Sequence, residues 1–462
     1  MSARFEPSAA RAVALALALV TTVALSRAEA APRGPGWRTT PVARSSAVLA
    51  GEPGKPVREV DLGTVEMPGA PWLRLVFGPC ALGDSSRILL RSGWNDDWQT
   101  LDARALADWG NTSAVFNGDR IEVKLLVAPG DRDVQASVRG AVVGIGEPLR
   151  PQTQCGANDD RVASGDNRVA RVFNSGCTAW RVGNGAFLTA GHCADFDPDA
   201  AGPMLPDGLL DLSGVVEFNV PWSGHDGTLV AAAPQDQYPI NLANVQWRFD
   251  GDGQGLGKDW CVFGVNRNAN TGLLPHQAYG LPFRITRELP ANGSTIRVTG
   301  FGTDADSTNQ TNQTAAGPFS GESASGADIR LDYAVDTEGG NSGSPAIWEG
   351  WNIAIGVHTN GGCTTSGGGN VATSFEVDAL ENAINAFPGA GSTHVDAGHP
   401  FPVVESGSLM RPWNTFMEGV GAVVTGATVS VFTGNYSVPA GSSIVRAMTI
   451  SASVGPVTVT AP

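Results

Sequence analysis

A serine flanked by glycines and a histidine followed by a cysteine are the residues best suited to nucleophilic chemistry. They lie in the runs Gly339-Gly340-Asn341-Ser342-Gly343-Ser344-Pro345 and Leu188-Thr189-Ala190-Gly191-His192-Cys193. A serine attacks a carbonyl when a base removes its proton, an acid orients the base and two N–H groups meet the oxyanion. The glycines permit a turn that pushes the serine outward. We therefore expect Ser342 as nucleophile, His192 as base, and the N–H groups of Gly340 and Ser342 as oxyanion donors.

The acid must be a third residue, and two aspartates between the runs are candidates. Asp259 precedes Trp260-Cys261-Val262-Phe263, an unbroken apolar run that predicts a buried strand. Asp226 is followed directly by Gly227, which weakens a strand. We therefore prefer Asp259 and keep Asp226 as the alternative.

Together and in this order, Thr189-Ala190-Gly191-His192-Cys193 and Gly340-Asn341-Ser342-Gly343-Ser344-Pro345 resemble the motifs of the chymotrypsin-like serine proteases. The Asn-Ser-Gly-Ser-Pro form looks closest to the bacterial glutamyl endopeptidase branch. The resemblance covers roughly residues 155–390. It implies a double β-barrel with a C-terminal helix, a Ser-His-Asp triad, protein or peptide substrates, and no metal or organic cofactor.

The resemblance also implies a pocket for the substrate side chain. In the glutamyl branch a threonine and a histidine read a carboxylate, and the matching positions here are Thr337 and His358. The alternative for His358 is packing in the pocket wall. Asp336 stands where trypsin-like enzymes bind Lys or Arg, and Glu338 is close by, so a Lys/Arg preference stays open beside cleavage after Glu or Asp.

Activation is expected to differ from that of trypsin. Asn341 stands where that branch has an aspartate that pairs with the new N-terminus, so this ion pair cannot form. By analogy with the glutamyl branch, cutting between about Pro148 and Arg168 would supply an α-amino group to the pocket.

Six cysteines follow the N-terminal region, at positions 80, 155, 177, 193, 261 and 363. They contain no CxxC pair, so a zinc site is not expected, and the even count favours three disulfides. A Cys177–Cys193 bridge would join the strands that carry the histidine. The other four cysteines allow three pairings, among which Cys155–Cys261 is our preference. The run Asp250-Gly251-Asp252-Gly253 has too few ligands for calcium and predicts a solvated turn.

The N-terminus predicts export. Arg4 and Arg11 precede the apolar stretch Ala12–Leu25, and Ala28-Glu29-Ala30 fits a cleavage site. About fourteen apolar residues are too few for a membrane span, which needs roughly 20. The net charge of −15 argues against nucleic acid as a partner. We expect a secreted protein without a membrane span.

Composition and patterning predict an all-β protein in several parts. The chain has 59 glycines and 30 prolines in 462 residues, and only 16% of its residues are charged, which fits short strands and many turns. We expect a signal peptide at 1–30, a β-sandwich-like propeptide or accessory domain at 31–150, a protease domain at 151–390 and a β-rich segment at 391–462. Residues 31–56 look like a linker and 304–327 like a loop. The final segment weakly resembles the coils of right-handed β-helix proteins.

Two functions from other classes compete with an endopeptidase. One is a secreted binding or adhesion protein that keeps a protease fold without catalysis. The other is an esterase on an α/β-hydrolase fold, which the residue order His, Asp, Ser and the absence of alternating helices disfavour.

Overall fold

The computed structural model describes residues 36–145, 152–173, 175–194, 214–249, 255–387, 393–401 and 405–461. The expected signal peptide and the turn at 250–253 lie outside these residues. Among the described residues, none of the helices combines the length and apolarity that crossing a membrane requires.

The N-terminal region forms two four-stranded antiparallel sheets around one hydrophobic core. Their strands are β1 (Trp37–Ser45), β2 (Arg58–Glu66), β3 (Trp72–Phe77), β4 (Arg87–Ser92), β5 (Trp98–Leu101), β6 (Phe116–Asn117), β7 (Arg120–Val127) and β8 (Ser137–Gly144). The strand orders are β1-β8-β3-β6 and β2-β7-β4-β5, and helix α1 (Ala103–Asp108) follows β5. In β7, alternate residues are buried, as expected for a strand with one face on a core.

The expectation of a linker at 31–56 is wrong for Trp37–Ser45, which forms β1. This edge strand pairs with β8, with a register shift between Pro41 and Arg44. Its side chains are exposed or half-buried, so the strand lacks the alternation of apolar residues that predicts a strand from sequence.

Two six-stranded closed barrels follow, as expected for a chymotrypsin-like fold. Their region contains β9 (Gln152–Thr153), β10 (Val162–Ala163), β11 (Val169–Val172), β12 (Cys177–Arg181), β13 (Phe187–Thr189), β14 (Val215–Glu217), β15 (Gln237–Arg248), β16 (Trp260–Val265), α2 (Pro275–Ala278), β17 (Thr295–Gly300), β18 (Gln313–Ser325), β19 (Asp328–Tyr333), β20 (Thr337–Glu338), β21 (Pro345–Trp348), β22 (Ile353–Asn360), β23 (Asn370–Ser374) and α3 (Asp378–Asn385). The first barrel runs β11-β12-β13-β16-β15-β14. The second runs β18-β17-β21-β22-β23-β19 and closes through pairing of β18 with β19.

The loop expected at 304–327 is wrong for its second half, which is β18. This strand pairs with β17 on one side and with β19 on the other. Its Ala315 and Phe319 are buried in the core of the second barrel. Polar and small residues fill the remaining positions, so cross-strand hydrogen bonding, and not local propensity, sets this strand.

The last segment consists of parallel strands and one helix. It contains β24 (Thr393–Val395), α4 (Phe416–Ala422), β25 (Thr428–Val431), β26 (Gly434–Ser437), β27 (Thr449–Ala452) and β28 (Val457–Thr460). Strands β24, β25 and β27 pair in parallel, and β26 pairs in parallel with β28. Helix α4 was not predicted, although the capping box of Thr415 and Glu418 is a sequence signal for it.

Buried His394 in this segment should make stability depend on pH. Burial lowers the pKa of His394 to about 4, whereas an unfolded histidine titrates near 6.5. Its contribution is therefore complete above about pH 6.5 and is lost as the pH falls towards 4. Between about pH 6.5 and about pH 4 this histidine should lower the unfolding free energy of wild type by up to about 3 kcal/mol. His394→Gln should lack this part of the fall, as measured by urea denaturation. Exposed His225→Gln is the control, and an unchanged pH slope in His394→Gln would contradict the prediction.

Candidate active site

Ser342 lies in the turn between β20 and β21, and two glycines with positive φ shape this turn. Gly340 has φ 100° and Gly343 has φ 89°. A Cβ on Gly340 would overlap the carbonyl oxygen of Phe301, and one on Gly343 would overlap that of Thr178. Both positions therefore require glycine for space as well as for conformation.

The turn is held in place by backbone hydrogen bonds on both sides. Thr178 N–H donates to Ser342 O at 2.9 Å, and Gly343 N–H donates to His358 O at 2.7 Å. Among the described residues, none accepts a hydrogen bond from the N–H of Gly340 or Ser342. These two groups are therefore available to an oxyanion, and their role as its donors stays a prediction.

His192 follows β13 in a short 3₁₀ turn, Gly191–Cys193. Asp259 directly precedes β16, which pairs with β13, and this pairing brings the two residues together. His192 Nδ1 lies 2.6 Å from Asp259 Oδ2, and the His192 backbone N–H donates to Oδ1 at 2.9 Å. Asp259 is fully buried and therefore fixes the imidazole through two contacts.

The rival aspartate does not take part. Asp226 is exposed and accepts a hydrogen bond from Thr228 N–H within its own turn at 3.0 Å. Asp259, and not Asp226, is the carboxylate that contacts His192.

The histidine and the serine turn are neighbours. Cys193 Sγ lies 3.9 Å from Ser342 O, and a Cβ on Gly343 would lie 3.0 Å from Ala190 N. Among the described residues, His192 Nε2 is buried without a hydrogen-bond partner. The site therefore holds a serine, a histidine with one ring nitrogen bound to a carboxylate, and two available N–H donors.

His358 and Thr337 are both buried beside this turn. His358 Nδ1 lies 2.7 Å from the Tyr333 hydroxyl, and Thr337 Oγ1 accepts a hydrogen bond from Asn370 at 2.8 Å. Burial, with a smaller effect of the His192 charge, lowers the pKa of His358 to about 3. His358 is therefore neutral at physiological pH.

The carboxylate of Asp336 is already hydrogen-bonded by the backbone and is not free. It accepts hydrogen bonds from the N–H groups of Cys155 at 2.6 Å and Asp160 at 2.7 Å. Its charge is thus engaged by the chain that precedes the first barrel.

Comparison with known proteins identifies the domain. Residues 158–382 match the model of the trypsin family. This chain contains a trypsin-family domain. Among curated proteins, no sequence matches the chain.

Three of the solved structures that are similar to this chain share little sequence with it. A Glu endopeptidase is 19% identical with a TM-score of 0.38, and the alignment covers 50% of this chain and 97% of that one. A mutant of human heparin binding protein is 16% identical with a TM-score of 0.35, covering 51% and 97%. A scabies mite inactivated protease paralogue is 16% identical with a TM-score of 0.33, covering 47% and 93%.

Two disulfides brace the trypsin-family domain. The predicted Cys177–Cys193 bridge is confirmed, with Cα atoms 6.3 Å apart. The preferred Cys155–Cys261 pairing is wrong, because Cys155 bonds Cys363. Cys261 is instead free and buried in the first barrel, and Cys80 is also free, so the expectation of three disulfides is wrong too.

The disulfide also bears on metal binding. His192 lies close to Cys177 and Cys193, a grouping that could suggest a metal site. Both sulfurs are oxidised in the disulfide, so neither can act as a thiolate ligand.

Sequence reasoning missed the hydrogen-bond partners of His358 and Thr337. Tyr333 and Asn370 lie on β19 and β23, opposite each other in register. Neither belongs to a local motif, so only the pairing of distant strands reveals them.

Proposed function

We propose that this protein is a secreted serine endopeptidase. His192 is the base, Asp259 orients it, Ser342 is the nucleophile, and the N–H groups of Gly340 and Ser342 bind the oxyanion. The observation that carries the proposal is the two-point hold of Asp259 on His192 next to a glycine-built serine turn. The two disulfides and the N-terminal apolar stretch support export to an oxidising compartment.

The mechanism follows from the donors and acceptors of the site. An ionised carboxylate only accepts hydrogen bonds, so Asp259 places the imidazole proton on Nδ1 and leaves the lone pair on Nε2. Nε2 takes the hydroxyl proton as Ser342 Oγ attacks the peptide carbonyl. The proton then passes from Nε2 to the leaving amine, and water repeats the sequence on the acyl-enzyme. The two N–H donors stabilise each tetrahedral oxyanion by about 3 kcal/mol apiece.

A serine-reactive fluorophosphonate tests this function directly. We expect wild-type protein to be labelled at Ser342 and Ser342→Ala to remain unlabelled, because only an activated serine reacts at an appreciable rate. Intact mass and peptide mapping measure the adduct. Ser344→Ala is the matched control, since Ser344 lies two residues away in the same turn. Absence of labelling in wild type would favour the non-catalytic binding protein.

For the substrate we propose Glu, or Asp, before the scissile bond. A neutral His358 can hydrogen-bond a carboxylate, and burial keeps Tyr333 protonated by raising its pKa well above the ordinary value. Tyr333 can then donate to Nδ1, which leaves the His358 proton on Nε2 for a ligand. The engagement of Asp336 by two backbone N–H groups argues against the Lys/Arg alternative.

A pair of matched peptides tests the preference. Wild-type enzyme should cleave after Glu about 10-fold more efficiently than after Gln, because a hydrogen bond from the neutral His358 to a charged carboxylate is stronger than one to a neutral amide. We expect His358→Gln to remove most of this difference by lowering kcat/KM for the Glu peptide alone. Steady-state kinetics on both peptides measures it. Faster cleavage after Lys or Arg in wild type would reject the assignment.

A further inference from the structure

The chain that leads into the barrels is fastened beside the serine turn. Strand β9 pairs with β20, which immediately precedes the turn. Cys155 is bonded to Cys363, and Asp336 accepts hydrogen bonds from the N–H groups of Cys155 and Asp160. These contacts fix the position of the next residue, Arg161.

Arg161 is a buried cation in contact with three carboxylates, of which Glu338 is fully buried, Asp304 is 12% exposed and Asp159 is 31% exposed. Its side chain is 2% exposed, and its Nη2 lies 2.7 Å from Asp159, 2.6 Å from Asp304 and 4.0 Å from Glu338. Burial alone would lower the pKa of Arg161, but the hydrogen bond to Asp159 and the charges of Asp304 and Glu338 raise it overall. The guanidinium therefore stays charged.

Gly302 shows how closely this cluster approaches the serine turn. A Cβ on Gly302 would overlap Arg161 Nη1 and would lie 2.6 Å from Asn341 Oδ1 and 3.1 Å from Glu338 Cβ. The three side chains thus surround one point, and glycine leaves the room they need. Arg161 lies against the base of the turn that contains Ser342.

Glu338 connects the cluster to the oxyanion donors. Its N–H donates to Asn341 Oδ1 at 2.8 Å, and Asn341 N–H donates to Glu338 O at 2.9 Å. These reciprocal bonds close the turn just before Ser342 and include the peptide whose N–H belongs to Gly340. A displacement of Glu338 would therefore alter the direction of the oxyanion donors.

We propose that Arg161 is a positioning residue for the serine turn. Its internal charge neutralises Asp304 and Glu338 and so assembles the oxyanion donors without a newly freed N-terminus. Asn341 is uncharged, so it does not require an N-terminal ammonium group as an ion-pair partner. The proposal rests on the proposed function, and it implies that the uncut chain already has a formed catalytic turn.

Substitution of Arg161 tests this role. We expect Arg161→Gln to lower kcat for a short peptide ester, and the rate of fluorophosphonate labelling, about 30-fold to 100-fold, with KM changed less than 3-fold. Removing the guanidinium leaves three carboxylates together, so adding Glu338→Gln to Arg161→Gln should recover part of the lost rate. Guanidinium ion added to Arg161→Gln should also recover part of the lost rate.

Arg168 provides a matched control. It pairs with Asp166, two residues earlier, just as Arg161 pairs with Asp159. Arg168 Nε lies 2.8 Å from Asp166 Oδ1 and Nη2 lies 2.6 Å from Oδ2, but its other contacts are with Asn352 and the ring of Phe283. Arg168→Gln should keep the wild-type labelling rate at a comparable melting temperature. Wild-type labelling of Arg161→Gln, or equal losses in both variants, would overturn the proposal.

Hydrogen exchange separates this proposal from the proposed function. Mass spectrometry should show faster amide exchange in the peptide around 338–344 for Arg161→Gln and unchanged exchange for Arg168→Gln. This measurement does not require activity. Should wild type fail to label, an exchange difference would still support the positioning role, whereas equal exchange would reject it. If Arg161→Gln does not fold, Arg161→Lys replaces it in the same measurements, with a smaller loss expected because the positive charge is kept.

Discussion

Replacing Asp259 with asparagine should lower kcat about 10⁴-fold. Asp259 accepts from His192 through both the backbone N–H and Nδ1, so the carboxylate sets the ring position and the tautomer. An asparagine amide that donates to Nδ1 would move the proton to Nε2, and the base would then have no lone pair for Ser342. Steady-state kinetics on a peptide ester measures the loss, and KM should change little because Asp259 is buried behind the histidine.

Asp226→Asn is the matched control for this prediction. Asp226 is exposed and bonds only within its own turn among the described residues, so its replacement should leave kcat within about 2-fold of wild type. A comparable loss in both variants, or wild-type kcat in Asp259→Asn, would show that the carboxylate contact seen here does not orient the base.

Replacing Gly343 with alanine should lower the unfolding free energy by at least about 3 kcal/mol. The residue has φ 89°, and an added Cβ would overlap the carbonyl oxygen of Thr178 and the hydroxyl of Thr189. Both partners belong to the first barrel, and their hydrogen bond at 2.7 Å would have to break or move. The serine turn would shift with them, so activity should fall together with stability. Urea denaturation followed by tryptophan fluorescence measures the change.

Gly326→Ala separates crowding from backbone strain. Gly326 also has a positive φ, 65°, but an added Cβ there would meet nothing within 4 Å. Its cost should therefore be only about 1 kcal/mol, since strain acts alone. Equal destabilisation by the two substitutions would mean that the close packing at Gly343 does not matter.

Local patterns predicted part of the chymotrypsin-like architecture. The apolar run Trp260-Cys261-Val262-Phe263, predicted as a buried strand, forms the first four residues of β16. These residues are apolar and buried, so local propensity and burial favour the same structure. Strands β1 and β18 were missed because their residues are polar or small and their stability comes from neighbouring strands.

The two disulfides also differ in whether the sequence predicts them. The Cys177–Cys193 bridge spans 16 residues and joins the start of β12 to the turn after β13, its partner in the same hairpin, so the local order of elements predicts it. The Cys155–Cys363 bridge spans 208 residues. Its partner Cys155 follows β9, which pairs with β20 in a separate two-stranded sheet, and the sequence does not reveal this pairing.

The serine and histidine runs themselves were determined by the sequence. Gly340 and Gly343 have backbone conformations and contacts that only glycine allows, so these two residue types predict the turn around Ser342. Which carboxylate contacts His192 was decided by the pairing of β13 with β16. The burial of Arg161 beneath the turn was likewise decided by tertiary structure, since Asp304 and Glu338 come from parts of the chain far from Arg161. Local conformation is encoded over a few residues, whereas buried charge requires partners that only the folded chain brings together.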